Sequence, residues 1–344
     1  PRSEGDAQNG ASVKTRSTKP WIVLALAAAL AGGCASANTE AARVATQPST
    51  ATVAQDCTSS ATDQAVCMPA SPLNLSALPL GSGKVSSSPQ QGYEWVCQVP
   101  NGSQPVTTPP WINTTASTWS LTTKVAVQGD VRWHKKFKKS HKGTQEVLVG
   151  NGLPPRSGTF PVARTDPARA YNPDPTRITS HSIVARLPYD PTLASSPQCV
   201  TPVVGLAVNG IPIDDGFDAD GNDAAAVETQ DECHGHPNGP NGYHYHSLSP
   251  CLLSKKALTH TTQVGWALDG FGIYVEYNAR GQLLTDASLD ACHGRTSVVK
   301  WQGKYVDIYH YDMTMEFPYT VGCFKGTPVP AADATGFGYG GPGT

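Results

Sequence analysis

The chain has 344 residues, of which 15% are charged, and a formal net charge of −2. This balance creates no overall field that would favour nucleic acid or an anionic membrane, so no nucleic-acid partner is expected. Glycine and proline number 33 and 29, a content typical of turn-rich β proteins and unlike that of helical bundles. The length allows one large domain or two modest ones.

Residues 1–37 have the layout of an export signal preceded by an N-terminal extension. A basic stretch leads into the apolar run 21–31, which is too short to span a bilayer because a helix needs about 20 residues. The sequence 30–34 resembles a lipoprotein signal that would leave Cys34 lipidated, whereas 35–37 suits ordinary signal cleavage. Both alternatives predict an exported protein, either secreted or in the cell envelope, with a lipid anchor to the membrane if Cys34 is modified.

Eight cysteines remain beyond Cys34, and none of them forms a Cys-x-x-Cys motif. An even number in an oxidising compartment favours four structural disulfides over a thiolate metal site. The cysteines concerned are Cys57, Cys67, Cys97, Cys199, Cys233, Cys251, Cys292 and Cys323.

Residues 38–91 are rich in Ala, Ser, Thr, Gln and Pro, which predicts a low-complexity tether with a small Cys57–Cys67 loop. From 92 to 326, short β-like runs alternate with turn signals, so the predicted fold class is mainly β. The clearest runs are 121–127, 146–149, 182–187, 203–208, 264–268 and 305–311, and 285–291 is predicted to form a capped turn or a short helix. Residues 327–344 end in a glycine-rich tail.

An internal repeat spans about 203–251 and 263–323. Each copy begins with a similar apolar run, reaches Cys-His-Gly after a similar interval, and continues to a Tyr-His-Tyr motif and a cysteine. We therefore predict two similar β-rich repeat units packed as one disulfide-stabilised domain. The repeat suggests the pairs Cys233–Cys251 and Cys292–Cys323, and elimination leaves Cys97–Cys199.

Four histidines lie in the first copy as His234-x-His236 and His244-x-His246. Alternate residues of a strand share a face, and the linker 237–242 contains Asn-Gly twice, a strong turn signal. A hairpin would let all four imidazoles converge, with the intervening tyrosines facing the core. Neutral imidazole suits Cu(II) and Zn(II), so a copper or zinc ion is the predicted cofactor and metal-ion partner.

The second copy keeps His293 and His310 but has Arg295 and Asp312 at the other two places. It therefore offers at most three ligands, His293, His310 and Asp312. The alternative is that the histidines of both copies are hydrogen-bonded scaffold. Asp231 and Asp269 are predicted to accept the free N–H of metal-bound imidazoles.

Two charged segments favour a plain structural explanation. Residues 214–223 concentrate carboxylates beside glycines, but the spacing fits a calcium loop poorly, so a solvated turn is expected. The alternative is that these carboxylates face the histidine hairpin. Residues 134–142 hold five lysines and two histidines, for which a solvated loop is expected rather than a polyanion site.

Several ordered motifs together resemble the YHYH family of exported proteins over residues 92–326. They are Asp-Glu-Cys-His-Gly-His-Pro at 231–237, Tyr-His-Tyr-His-Ser-Leu-Ser-Pro-Cys at 243–251, Gly-Trp-Ala-Leu-Asp-Gly-Phe at 265–271, the closing stretch 309–326, and the upstream motifs at 110–111, 129–133 and 151–154. The resemblance implies a secreted, mostly β domain and supplies no catalytic residue.

The function predicted from these features is an exported cell-envelope protein that binds or sequesters copper or zinc. One alternative is a metal-dependent secreted hydrolase or oxidoreductase, although His-Glu-x-x-His and Gly-x-Ser-x-Gly are absent from the sequence. Another is a structural surface domain with scaffold histidines. The sequence leaves open whether the chain is an enzyme.

Overall fold

A computed structural model of the protein describes residues 56–58, 66–100, 108–171, 176–238 and 242–337. Within those ranges no helix combines the length and apolar character needed to cross a bilayer. The predicted export signal and Cys34 lie outside the described residues.

Short strands dominate the described chain. They are β1 (Asp56–Thr58), β2 (Val66–Met68), β3 (Leu78–Pro79), β4 (Val85–Ser86), β5 (Glu94–Trp95), β6 (Ile112–Asn113), β7 (Thr118–Trp119), β8 (Val131–Arg132), β9 (Phe137–Lys142), β10 (Gln145–Gly150), β11 (Arg156–Ser157), β12 (Ile183–Pro188), β13 (Val203–Ala207), β14 (Pro212–Asp214), β15 (Gly235–Asn238), β16 (Gly242–Tyr245), β17 (Thr262–Ala267), β18 (Gly272–Val275), β19 (Gly294–Trp301), β20 (Lys304–Asp312) and β21 (Ala334–Thr335).

In the described ranges, helical structure is confined to short turns. The α-helix α1 covers Ala224–Val227, and 3-10 segments cover Pro167–Ala170, Pro250–Leu252, Asp286–Ser288 and Ala331–Asp333. The mainly β prediction is therefore confirmed. Of the two alternatives predicted for 285–291, the structure has the turn, at Asp286–Ser288.

The central sheet has eight strands in the order β15-β16-β14-β13-β17-β18-β20-β19. Its neighbours are antiparallel except for the β14–β16 and β18–β20 pairs, which are parallel. Gly205 pairs with Ile213 on one side of the centre, and Gly265 pairs with Ile273 on the other. This order is the one that two packed repeats would produce, while the repeat itself stays a prediction.

Burial of the central strands follows from their composition. β13, with sequence Val-Val-Gly-Leu-Ala, is buried at every position, as expected for an apolar strand covered on both faces. A second sheet, β21-β12-β10-β9, packs beside it, and the rings of Phe137 and Trp266 lie 6.4 Å apart between the two. In β12, buried and half-buried residues alternate, which is the pattern of a strand with one face on the core.

Three predicted disulfides are present, joining Cys97 to Cys199, Cys233 to Cys251, and Cys292 to Cys323. Cys67 is also disulfide-bonded, and β1 and β2 pair with Cys57 opposite Cys67 in the register.

Three predicted surface segments contribute to the folded domain. In the segment expected to be a tether, Leu78 is fully buried in the main core. In the expected tail, β21 pairs with β12 and Phe337 packs on the same core. The basic segment forms strand β9 instead of a loop, at the edge of its sheet, where exposed lysines oppose pairing with another chain.

Tyrosines of the two Tyr-His-Tyr motifs anchor the central sheet. Tyr243, Tyr245 and Tyr311 are fully buried, on the face opposite the histidines, as the alternation of a strand requires. The Tyr311 hydroxyl donates to Asp269 Oδ2 at 2.6 Å and accepts the Lys325 backbone N–H at 2.7 Å.

Replacing Tyr311 with Phe is expected to lower the free energy of unfolding by about 1–3 kcal/mol, because a buried carboxylate and a backbone donor lose their partner. Urea denaturation followed by tryptophan fluorescence measures the change. Tyr305→Phe is the matched control, since Tyr305 is 77% exposed. Equal midpoints for the two variants would contradict the anchoring role.

Candidate metal centre

The histidine hairpin forms as predicted from β15 and β16. His236 lies directly opposite His244 in the register, so both side chains leave the same face, and His246 follows two residues later. The three side chains are only 2–5% exposed. Ring centroids lie 4.5 Å apart for His236 and His244, 4.8 Å for His244 and His246, and 5.6 Å for His236 and His246. The turn at 239–241 lies outside the described residues.

Glu228 joins this cluster, and the sequence analysis missed it. Its Oε2 lies 2.8 Å from His236 Nε2 and 3.1 Å from His246 Nε2. One ligand atom from each of the four residues can be chosen so that all lie within 4.8 Å of one another. Three imidazoles and one carboxylate therefore converge on one position, where they could hold a single ion.

The backbone fixes the tautomers of two of the rings. His244 Nδ1 donates to the Gly242 carbonyl at 3.1 Å, and His246 Nδ1 donates to the Asp215 carbonyl at 2.5 Å. In a neutral imidazole with a proton on Nδ1, Nε2 carries a lone pair. The two Nε2 atoms lie 3.0 Å apart. Two lone pairs at that distance repel unless a proton or a metal ion lies between them.

His236 and Glu228 show the same need for a cation. His236 Nε2 lies 2.8 Å from Glu228 Oε2, which is itself 3.1 Å from His246 Nε2. Unless a proton or a cation lies between them, buried polar atoms this close stay without a hydrogen bond, which is costly.

Electrostatics in the metal-free cluster favour one bound proton. Burial lowers the pKa of His246, but the Glu228 carboxylate outweighs burial and raises this pKa to about 9. Burial raises the pKa of Glu228, yet the neighbouring His236 and His246 hold it well below its usual range. Burial, together with the neighbouring imidazoles of His236 and His246, holds the pKa of His244 well below its usual range. Glu228 and His246 therefore share a proton in the metal-free cluster.

Helix α1 presents Glu228, which is its C-terminal cap. Asp223 caps the other end, accepting the Ala226 N–H at 3.2 Å. The same carboxylate accepts the Gly81 N–H at 2.7 Å and the Tyr319 hydroxyl at 2.8 Å. Asp223 thus links the helix to two distant parts of the chain and fixes where Glu228 points.

Lys124 holds both sides of the Glu228 segment. Its ammonium donates to the Ala225 carbonyl and, at 3.0 Å, to Gln230 Oε1. Because these acceptors precede and follow Glu228, the lysine limits how far the carboxylate can move.

The acidic segment 214–223 is largely buried, and the prediction of a solvated turn was wrong for Asp214, Asp215 and Asp223. Asp214 Oδ2 lies 3.7 Å from His244 Nε2. Glu94 Oε2 accepts the Gly216 N–H at 2.9 Å, which fixes the turn whose Asp215 carbonyl holds His246. These acids face the hairpin because β14 pairs with β16.

His234, one of the four predicted ligands, lies outside the cluster. Its φ of 55° is left-handed, and β15 begins only at the next residue, so the alternation that aligns the other histidines does not reach it. Its Nδ1 donates to the Leu248 carbonyl at 2.9 Å. Burial, with a contribution from the Lys124 charge, lowers the pKa of His234 to about 4.

The second copy brings together Glu276, His310 and Asp312. His310 Nε2 lies 3.1 Å from Glu276 Oε2 and 3.6 Å from Asp312 Oδ2. Arg295 stands opposite His310, in the place that His236 has in the first copy, with its Nε 3.9 Å from Glu276. The guanidinium supplies positive charge that an ion would otherwise provide.

His293, predicted as a ligand of the second copy, is also outside its cluster. It has a left-handed φ of 67°. Its Nδ1 lies 2.8 Å from Asp286 Oδ1, and its Nε2 lies 3.1 Å from Thr314 Oγ1. As with His234, the backbone before the strand directs the ring elsewhere.

The acids predicted to support the imidazoles support the backbone instead. Asp231 accepts the Gly158 N–H at 2.8 Å, the Cys233 N–H at 2.8 Å and the Tyr243 hydroxyl at 2.9 Å. Asp269 accepts from Tyr311. Since no hydrogen bond to a histidine ring is described for either acid, their role is to hold the hairpins. The ring N–H groups of His244 and His246 donate to backbone carbonyls, where the prediction had placed these two acids.

Comparison with known proteins agrees with this arrangement. The family model described as "YHYH protein" matches residues 184–287. Residues 184–287 are therefore a YHYH domain. The matched range of the YHYH domain contains all four residues of the first cluster and Glu276, and it ends before His310 and Asp312. Neither the curated proteins nor the solved structures contain a match.

Replacing Asp223 with Ala is expected to lower the free energy of unfolding by about 3 kcal/mol, since a helix cap is lost and two buried donors become unpaired. Thermal unfolding measured by circular dichroism tests this. Asp190→Ala, at an exposed position, is the control. A melting temperature of the Asp223 variant equal to that of the control would show that the carboxylate does not hold α1.

Proposed function

We propose that the YHYH domain binds one divalent transition-metal ion, Cu(II) or Zn(II), through Nε2 of His236, His244 and His246 and the carboxylate of Glu228. The observation that carries this proposal is the convergence of three ligand atoms, since the Nε2 atoms of His244 and His246 lie 3.0 Å apart and Glu228 Oε2 lies 3.1 Å from the latter. An ion at that point would replace the proton shared there and accept a lone pair from each of these atoms.

The donor set supports these metals. Three imidazole nitrogens and one carboxylate oxygen form a set that zinc accepts in tetrahedral geometry, and copper binds imidazole more strongly on intrinsic affinity. In metal sites the remaining ring N–H usually donates to a carbonyl or carboxylate. His244 and His246 already make such bonds to the backbone.

Binding or sequestration is the proposed role, ahead of catalysis. Four protein ligands fill a tetrahedral site, whereas catalytic zinc keeps one position for water or substrate. The Glu228 side chain is 18% exposed and those of the histidines less, so little of the ion would meet solvent. The alternative of a hydrolase or oxidoreductase would require Glu228 to leave the ion.

We also propose that the protein works outside the cytoplasm, in the envelope or secreted, anchored by lipid if Cys34 is modified. The three disulfides of the described domain support this location, because disulfides persist in oxidising compartments.

Metal loading of the purified protein tests the site. Wild type is expected to retain about one equivalent of copper or zinc after dialysis, and the His244→Ala/His246→Ala variant less than about 0.1, because two of four ligands are lost. His134→Ala/His260→Ala removes two exposed histidines and is expected to load like wild type. Elemental analysis gives the stoichiometry.

Retention of the metal by the His244/His246 variant would locate the ion elsewhere. Absence of metal from folded wild type, after exposure to either ion, would favour the scaffold alternative.

Metal binding at about pH 7.5 is expected to release about one proton, because His246 is protonated in the metal-free protein and must lose that proton to coordinate. The sign follows from its pKa of about 9, which lies above that pH. Calorimetric titration in two buffers with different ionisation enthalpies measures the proton count. In Glu228→Gln the count should fall, since the carboxylate that raises this pKa is gone. Equal heats in both buffers for wild type would contradict the assignment.

A further inference from the structure

A separate cavity of about 210 Å³ lies beside the segment that carries Glu228. Both apolar and polar residues line it. The apolar residues are Met68, Leu75, Leu121, Val125, Ala126 and Pro250, and the polar ones include Lys124, Gln230 and His234. None of the four residues of the metal cluster lines it.

Lys124 brings an ammonium group with spare hydrogen-bonding capacity to this cavity. Of its three donors, two go to the Ala225 carbonyl and Gln230 Oε1. Among the described residues, no carboxylate oxygen lies within 4.0 Å of Lys124 Nζ. Burial lowers the pKa of Lys124 to about 7, although Glu228 and Asp223 act to raise it. An anion that enters beside this half-buried amine stabilises its charged form.

His234 contributes an acceptor to the same cavity. Because its Nδ1 donates to the Leu248 carbonyl, Nε2 of the neutral ring carries the lone pair.

The two acids on the wall are already occupied. Asp231 accepts three N–H groups and a tyrosine hydroxyl, and Glu232 pairs with Arg156 at 3.2 Å. The polar groups left for a ligand therefore include the donors Lys124 Nζ and Gln230 Nε2, the latter without a hydrogen-bond partner, and an acceptor at His234.

We propose that this cavity binds a small carboxylic acid with an apolar body and a hydroxyl group. The carboxylate contacts the Lys124 ammonium, the hydroxyl donates to His234 Nε2, and the body packs on Leu121 and its apolar neighbours. The size fits a single ring with two small substituents, because a cavity of about 150 Å³ already accepts benzene.

The test uses 4-hydroxybenzoate as the probe, with benzoate and 4-hydroxybenzyl alcohol for comparison, titrated into EDTA-treated full-length protein by calorimetry or ligand-observed NMR. Wild type is expected to bind the hydroxy acid most tightly. Lys124→Met should weaken both acids about tenfold or more, the size of a charge-assisted hydrogen bond, and leave the neutral alcohol unchanged. Lys255→Met, at an exposed lysine, is the matched control.

Two further variants separate the contacts. His234→Asn, which tolerates the left-handed backbone, should reduce the affinity for 4-hydroxybenzoate to that for benzoate. Leu121→Trp should fill the cavity and abolish binding with Lys124 still present. The proposal is overturned if wild type binds neither acid at about 10 mM, above the weakest affinity expected of a specific site, or if Lys124→Met binds both acids as wild type does. Because metal-free protein is used, either result is independent of the metal proposal.

Discussion

The rest of the site depends on one contact, the 3.0 Å approach of the Nε2 atoms of His244 and His246. Backbone carbonyls of Gly242 and Asp215 hold the Nδ1 protons of His244 and His246, so neither ring can relieve the contact by changing tautomer. The strand pairing prevents the rings from separating. A proton or a metal ion must therefore occupy the space between them, and the adjacent Glu228 carboxylate neutralises part of its charge.

The two halves of the central sheet solve this electrostatic problem differently. Both present a histidine at the same strand position, His244 in one and His310 in the other. Where the first has His236 across the hairpin, the second has Arg295, a permanent cation that cannot coordinate a metal. The second cluster therefore supplies its own positive charge, whereas the first needs an exchangeable cation, either a proton or a metal ion. Similar scaffolds thus differ in whether an ion is needed.

Sequence periodicity predicted the part of the site that is local. His236, His244 and His246 were found because alternation along a strand is a short-range rule, and the same rule failed for His234 because a left-handed residue precedes the strand. Glu228 could not be found in this way. Its position depends on Asp223, whose bond to Gly81 spans 142 residues, and on Lys124, which lies about a hundred residues before it. Contacts of that separation leave no periodic pattern in the chain. The burial of the 214–223 acids was missed for the same reason, since it follows from the pairing of β14 with β16.

A buried cluster of this kind is costly to assemble before an ion arrives, because desolvated polar groups face one another without partners. The Cys233–Cys251 disulfide encloses all three histidines of the cluster within a separation of 18 residues, and Asp231 fixes the start of the same hairpin through backbone N–H groups. These constraints act in the metal-free protein, so under the proposed function the energy of metal binding is not consumed in ordering the ligands. The disulfides and the buried tyrosine–acid contacts thus hold the residues of the cluster in position. In this respect the domain differs from small zinc-dependent folds, in which the metal itself organises an otherwise unfolded chain.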